Sequence, residues 1–158
     1  MNAIVVTDKQ WAIGRSGDLL FSLPGDMKHF RTLTTGGTVI MGRKTLETLP
    51  GGRGLPDRRN LVLTRQESLT PDRAETVHSP EELLALADSN AFVIGGQEVY
   101  TRLLPYCTRV YVTKVFADVP ADAFFPNLDK DPHWQVVSVE EPQEEAGLRF
   151  QYVEYRHV

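Results

Sequence analysis

The stretch Thr38-Val39-Ile40-Met41-Gly42-Arg43-Lys44-Thr45 is a β-branched, apolar run that empties into a glycine and then a basic, hydroxyl-bearing turn. That pattern is a buried strand handing over to a helix, whose first N–H groups are free to hold phosphate. A second run, Ala91-Phe92-Val93-Ile94-Gly95-Gly96-Gln97-Glu98-Val99-Tyr100, makes the same move with a glycine pair at the switch. Two such openings in 158 residues demand strands whose carboxyl ends feed helices, and they suggest a dinucleotide with its pyrophosphate between two helix N-termini. Neither is the Gly-x-Gly-x-x-Gly fingerprint or a Walker loop, so such a site would belong to another fold. Each run alone also reads as an ordinary strand-to-helix turn with solvent-facing Arg43 and Lys44.

The remaining elements follow from the same kind of pattern. Ile4-Val5-Val6 reads as a short buried strand, and Thr7 to Leu23 as a long irregular segment of the kind that carries function in small domains. Pro24 and Gly25 open a helix in which Asp26, Phe30 and Leu33 share one stripe. A short helix is expected from Arg43 to Leu49, a strand over Asn60 to Leu63, and a capped helix from Glu81 to Ala87 behind Ser79-Pro80-Glu81-Glu82. Strand Phe92 to Ile94, helix Gln97 to Leu104 and strand Arg109 to Val115 follow. Gln135 to Glu140 and Arg149 to Arg156 alternate as two antiparallel strands joined around Glu144-Glu145-Ala146-Gly147. The implied architecture is one α/β domain over residues 1–158 in three layers, a mostly parallel sheet of about eight strands with helices on both faces and an antiparallel C-terminal hairpin.

Charge and composition remove several classes of function. A net charge of -4 argues against a nucleic-acid surface, so any anion site should be local. The lone Cys107 cannot form an internal disulfide, and the Ala3 to Val6 run lacks the length and lead-in of a signal peptide, so the cytoplasm is the expected compartment. No apolar stretch approaches the ~20 residues of a membrane helix. His29, His78, His133 and His157 share no metal-ligand spacing with each other or with Cys107, and are expected to be structural or surface residues.

Asp26 is the candidate for chemistry, because it lies on the stripe of Phe30 and Leu33 instead of the exposed side. An unpartnered carboxylate there costs several kcal/mol or has a raised pKa. The competing reading is a helix-start acid favoured by the dipole. Arg58 and Arg59, with Arg53 and Arg65 nearby, suit bidentate grips on carboxylate or phosphate, or else form a solvated loop face. Trp11, Phe21, Phe30 and Leu55 could line an apolar slot for a planar ring, or serve as core anchors.

Taken in order, Ile13-Gly14, Leu19-Leu20-Phe21-Ser22-Leu23-Pro24-Gly25-Asp26-Met27-Lys28-His29-Phe30, Val39 to Thr45, Leu55-Pro56-Asp57-Arg58-Arg59-Asn60, Val93 to Tyr100 and Tyr111-Val112-Thr113 closely resemble bacterial dihydrofolate reductase. The resemblance covers essentially the whole chain. It implies NADPH-dependent reduction of 7,8-dihydrofolate to tetrahydrofolate by a monomer, with dihydrofolate and antifolate inhibitors as its small-molecule partners. Asp26 then matches the acid that orients the pterin, Thr113 its hydroxyl partner, and Leu19 and Phe21 the catalytic loop. Ile4, Val5, Met27, Phe30, Leu49, Leu55, Ile94 and Tyr100 are the implied substrate lining, with Arg58 gripping the glutamate α-carboxylate. The implied cofactor set is Val6, Ile13, Gly14, Gly42, Arg43, Lys44, Thr45, Leu63, Thr64, Arg65, Ile94, Gly95, Gly96, Gln97, Glu98, Val99 and Tyr100. Arg43 and Arg65 match positions near the adenosine 2′-phosphate, and the Gly95–Gly96 bond is cis in the family. Phe21 stands where many members have tryptophan, and Leu46 where some have a larger aromatic. The loop from Gly14 to Leu23 is expected to be a lid that Asp122 holds by accepting backbone N–H bonds. The alternatives are another pterin or pyrimidine reductase on the same fold, such as that of riboflavin synthesis, and a non-catalytic folate- and NADPH-binding module. Having both Asp26 and Arg58 favours folate.

Overall fold

The computed structural model describes all 158 residues. The strands are β1 (Asn2–Thr7), β2 (Ala12–Arg15), β3 (Asp18–Leu19), β4 (Thr38–Gly42), β5 (Arg59–Leu63), β6 (Glu75–Val77), β7 (Ala91–Gly95), β8 (Arg109–Val115), β9 (Ala123–Phe124), β10 (Trp134–Val139), β11 (Gln143–Glu145) and β12 (Leu148–His157). The helices are α1 (Pro24–Thr34), α2 (Arg43–Thr48), α3 (Pro80–Leu86) and α4 (Gln97–Leu103). The main sheet has the order β10-β12-β8-β1-β7-β4-β5-β6, with β11 paired to β12. Strands β8, β1, β7, β4, β5 and β6 run parallel, and β12 and β10 close one edge antiparallel.

The two-residue period of the strands divides the core. Val39, Met41 and Val62 point to one face, where Phe30 of α1, Leu46 of α2, Leu49, Leu55 and Ile94 pack on them. Ile40, Leu61, Leu63 and Val93 point the other way, against Leu83 of α3 and Val99, Tyr100 and Leu103 of α4. A third cluster, Leu23, Val115 and Phe150 with Val6, Phe21, Leu148 and Tyr152, seats the start of α1 on the C-terminal hairpin. The chain crosses from β1 past β7 to β4 and later returns, so β7 fills the gap between them. The carboxyl ends of the strands flanking such a reversal form a crevice that no connection covers, which is where ligands bind in open α/β sheets.

Four points differ from the sequence expectations. The segment from Thr7 to Leu23 is not irregular: β2 pairs with β3 and β9 in a second, three-stranded sheet. These strands are too short for an alternating pattern to register. Strand β6 went unseen because only three residues extend the sheet there. Trp11 is buried, stacked at 6.0 Å on Phe125 and close to Tyr155, so it anchors the root of the loop, away from Phe21, Phe30 and Leu55, which pack in other clusters. The capping motif of α3 is present in shifted form: Ser79 accepts from Glu82 N–H at 3.1 Å, while Glu82 reaches one residue further back, to His78 N–H at 3.0 Å.

Candidate active site

Asp26 lies in the first turn of α1, where the Leu23-Pro24 entry turns the helix into the crevice at the ends of β1 and β8. Thr113 of β8 is 3 % exposed and sits in register with Val6 of β1 and Tyr152 of β12. Its hydroxyl donates to Asp26 Oδ1 at 2.6 Å. Burial raises the Asp26 carboxyl above its ordinary value and the nearby Glu145 carboxylate adds to this, while the Thr113 bond and His29 act the other way. His29, one turn along α1, stacks on Tyr152 with ring centroids 4.0 Å apart. Burial pushes the Tyr152 phenol up to about 12, with the Asp26, Glu140 and Glu145 charges contributing. An acid held in a partly dry site, anchored through one oxygen, keeps its other oxygen for a ligand.

The far end of the same helix carries the cation. Arg58 Nη1 donates to Thr34 Oγ1 at 3.1 Å, its Nε donates to Pro56 O at 2.8 Å, and its guanidinium lies 6.0 Å from the Phe30 ring centre. Desolvation lowers the Arg58 pKa. Thr34 is eight residues beyond Asp26, or ~12 Å at 1.5 Å per residue, so the site is elongated, with an acid at its head and an arginine at its tail. The loop bearing Arg58 is stapled by Asn60, which is 2 % exposed; it accepts Leu55 N–H at 2.8 Å and donates to Leu55 O and Arg58 O. Sequence reading treated Asn60 as a strand residue only; a buried amide opening a strand beside an arginine-bearing loop was the available signal. Of the neighbouring arginines, Arg59 is taken by Glu75, through bonds of 2.7 and 3.0 Å, and Arg53 lies 3.9 Å from Asp72.

The two glycine runs end side by side, because β4 and β7 are neighbours with Met41 opposite Gly95. Gly42 and Gly96 are the N-cap residues of α2 and α4, and neither helix has a side-chain cap, so their first N–H groups face the crevice unclaimed by side chains. The Gly95–Gly96 bond is cis, as the resemblance implies. Gly95 has φ +145°, and a Cβ there would stand 3.1 Å from Thr45 Oγ1, so only glycine lets the two motifs approach. Arg43 pairs with Glu47 at 2.6 Å. Thr64, Arg65 and the end of β5 lie along the same edge, where His78 Nδ1 meets Thr64 O at 2.9 Å. His78, expected to be structural or surface, meets the Thr64 carbonyl because Val77 at the end of β6 pairs with Leu63 at the end of β5. Tyr100 is buried and donates its hydroxyl to Ile4 O at 2.7 Å, and burial raises its pKa.

Asp122 ties down the Gly14 to Leu23 segment through backbone groups: its Oδ2 accepts Ser16 N–H at 2.9 Å, and its N–H donates to Gly14 O. The other implied residues are placed as follows. Leu19, in β3, is 82 % exposed. Val5 and Leu63 turn their side chains into the core under α3 and α4, on the opposite face from Asp26, because the strand period alternates there. Ile13, Val99 and Tyr100 belong to that same core cluster, so their side chains back the crevice. Gln97 spends its carboxamide oxygen on Phe124 N–H at 2.7 Å. Met27 is 56 % exposed, and Lys44 and Glu98 are also exposed. Ile4, Val6, Phe21, Phe30, Leu49, Leu55 and Ile94 remain on the acid's side of the sheet.

A half-buried acid, an arginine one helix-length away and two adjacent glycine-capped helix starts thus lie along one edge of a mostly parallel α/β sheet. The family model described as dihydrofolate reductase matches residues 1–157. The chain is 44 % identical over 147 residues to dihydrofolate reductase of Mycobacterium tuberculosis, covering 90 % of this chain and 89 % of that protein. It is 34 % identical over 160 residues to that of Staphylococcus haemolyticus, covering 100 % and 93 %. The solved structure of dihydrofolate reductase from Enterococcus faecalis complexed with NADP(H) and RAB-propyl superposes with a TM-score of 0.88 at 34 % identity, over 99 % of this chain and 95 % of that one. The chain belongs to the dihydrofolate reductase family.

Proposed function

We propose that this member of the family carries out its NADPH-dependent reduction of 7,8-dihydrofolate to tetrahydrofolate with Asp26 as the acid that orients the pterin, Thr113 as its support and Arg58 as the grip on the glutamate α-carboxylate. The observation that carries the assignment is the placement of Asp26 and the Arg58 anchor at the two ends of one face of α1, which suits a ligand with a planar hydrogen-bonding head and an anionic tail. When bound, NADPH supplies hydride from nicotinamide C4 to pterin C6. Asp26 accepts hydrogen bonds from the pterin N3–H and 2-amino groups, which polarises the ring so that N5 takes its proton from a water admitted past Phe21. Phe21 keeps an apolar wall there without an indole donor.

The residues present fit the cofactor. Two adjacent helix starts offer backbone N–H groups to a pyrophosphate, and the Thr45–Gly95 approach leaves no room for a side chain between them. Arg43 and Arg65 are assigned to the 2′-phosphate, and Thr64 to the adenosine edge. Val6 and Ile94 flank the nicotinamide, and Ile4, Phe30, Leu49 and Leu55 line the path of the substrate. The lid from Gly14 to Leu23 excludes water when it is down.

The test is the loss of 340 nm absorbance with purified protein, using NADPH or NADH and dihydrofolate or a dihydropterin lacking the glutamate tail. Turnover with NADPH and dihydrofolate, weaker with NADH and with the tailless pterin, is expected. Equal turnover of both pterins would refute the assignment of Arg58, and equal use of NADH would refute that of Arg43 and Arg65.

A further inference from the structure

Helix α1 starts without the usual means of satisfying its first N–H groups. Leu23 at the N-cap has no side-chain acceptor, and Pro24 at the first position has no N–H. The first donor in need is therefore Gly25. The Glu145 carboxylate meets it, with Oε1 at 2.8 Å and Oε2 at 3.2 Å. Glu145 ends β11, and the turn through Ala146 and Gly147, both at positive φ, swings it over the start of α1. The fit is steric as well as electrostatic: a Cβ on residue 25 would stand 2.5 Å from Glu145 Oε2. A glycine at the second helical position, where any residue can adopt the backbone, is thereby explained by the carboxylate that approaches it.

We infer that Glu145 is a positioning residue for Asp26, holding the first turn of α1 against the C-terminal hairpin and placing a second negative charge one residue from the acid. Asp26 is thus gripped from two sides, by Thr113 of β8 through its carboxylate and by Glu145 through the backbone just before it. The charged and titratable groups around Asp26 are His29 on its own helix, Tyr152 on β12 and Glu145 on the hairpin. Of these, Glu145 opposes ionisation of Asp26 and His29 favours it. The hairpin thereby influences the chemistry from outside the cleft.

The inference rests on Asp26 being the acid of the site, and the test separates the two. The Asp26 carboxyl is titrated by carbon-13 NMR on protein labelled at aspartate, with Asp26→Asn identifying the signal; this needs no turnover. In Glu145→Gln the amide oxygen still accepts Gly25 N–H while the charge is gone, so the Asp26 midpoint should fall. Gly25→Ala keeps both carboxylates but displaces Glu145, whose flexible end can yield, so its midpoint should fall too and its KM for dihydrofolate should rise roughly threefold to tenfold, as for a lost helix cap. A purely structural cap would leave the Glu145→Gln midpoint where it was, and that result, or an unchanged KM in Gly25→Ala, overturns the inference. Wild-type turnover by Asp26→Asn would instead overturn the role of Asp26 and leave the midpoints to decide that of Glu145.

Discussion

Replacing Asp26 by asparagine probes folding and chemistry at once, with opposite signs. The carboxylate is anchored by Thr113 at 2.6 Å and has its pKa raised chiefly by burial. A carboxyl whose folded-state pKa lies above its unfolded value adds no penalty below the ordinary value of 3.8, and becomes progressively destabilising as pH rises through the raised value. The neutral asparagine, which still offers Thr113 an acceptor, should therefore raise Tm at pH 7 relative to wild type, with the gain vanishing near pH 3. Activity should move the other way. Two charge-assisted bonds to the pterin are worth ~1.5–3 kcal/mol each, and an amide oxygen retains part of one, so a loss of ~2–4 kcal/mol, or ~30- to 1000-fold in kcat/KM at pH 7, is expected. The deficit should shrink as pH falls and substrate arrives pre-protonated. The assay pairs thermal melts from about pH 3 to 9 with 340 nm kinetics from about pH 5 to 9. An Asp26→Asn enzyme within about threefold of wild type at pH 7, or a Tm difference that grows on acidification, would refute the reasoning.

Arg58→Gln should raise KM for dihydrofolate ~10- to 100-fold with kcat nearly retained, since a bidentate grip on a remote carboxylate is uniform binding; a fall in kcat alone would contradict it. Arg65→Ala should weaken NADPH binding ~10-fold and leave NADH unaffected, measured as the ratio of the two KM values. Gly95→Ala, at φ +145° and 3.1 Å from Thr45 Oγ1, should cost ~1–3 kcal/mol of stability by denaturant titration and lower NADPH affinity; full affinity would mean that the close approach is dispensable. Asp122→Ala removes the acceptor of Ser16 N–H, so the hydride-transfer rate and cofactor affinity should fall with little change in Tm, and an unchanged rate and affinity would count against the lid latch.

The two β-branched runs ending in glycine announced α/β crossovers, because strand propensity and a residue free of Cβ are local properties. The stripe of Asp26, Phe30 and Leu33 was legible for the same reason: helical period is written in spacing, and an acid on an apolar face stands out. Motif order then allowed Thr113 and Arg58 to be named through resemblance. Long-range geometry set the rest. The face on which Val5 and Leu63 point depends on which helices cover the sheet, and Leu19 lies exposed because the lid forms its own small sheet with β9. Glu145 reaches Gly25 across 120 positions of chain, and Asn60 staples its own loop only once β5 is buried. These contacts exist because folding brings distant backbone donors beside charged side chains, and pairing each such donor is an obligation of the whole fold rather than of any local segment.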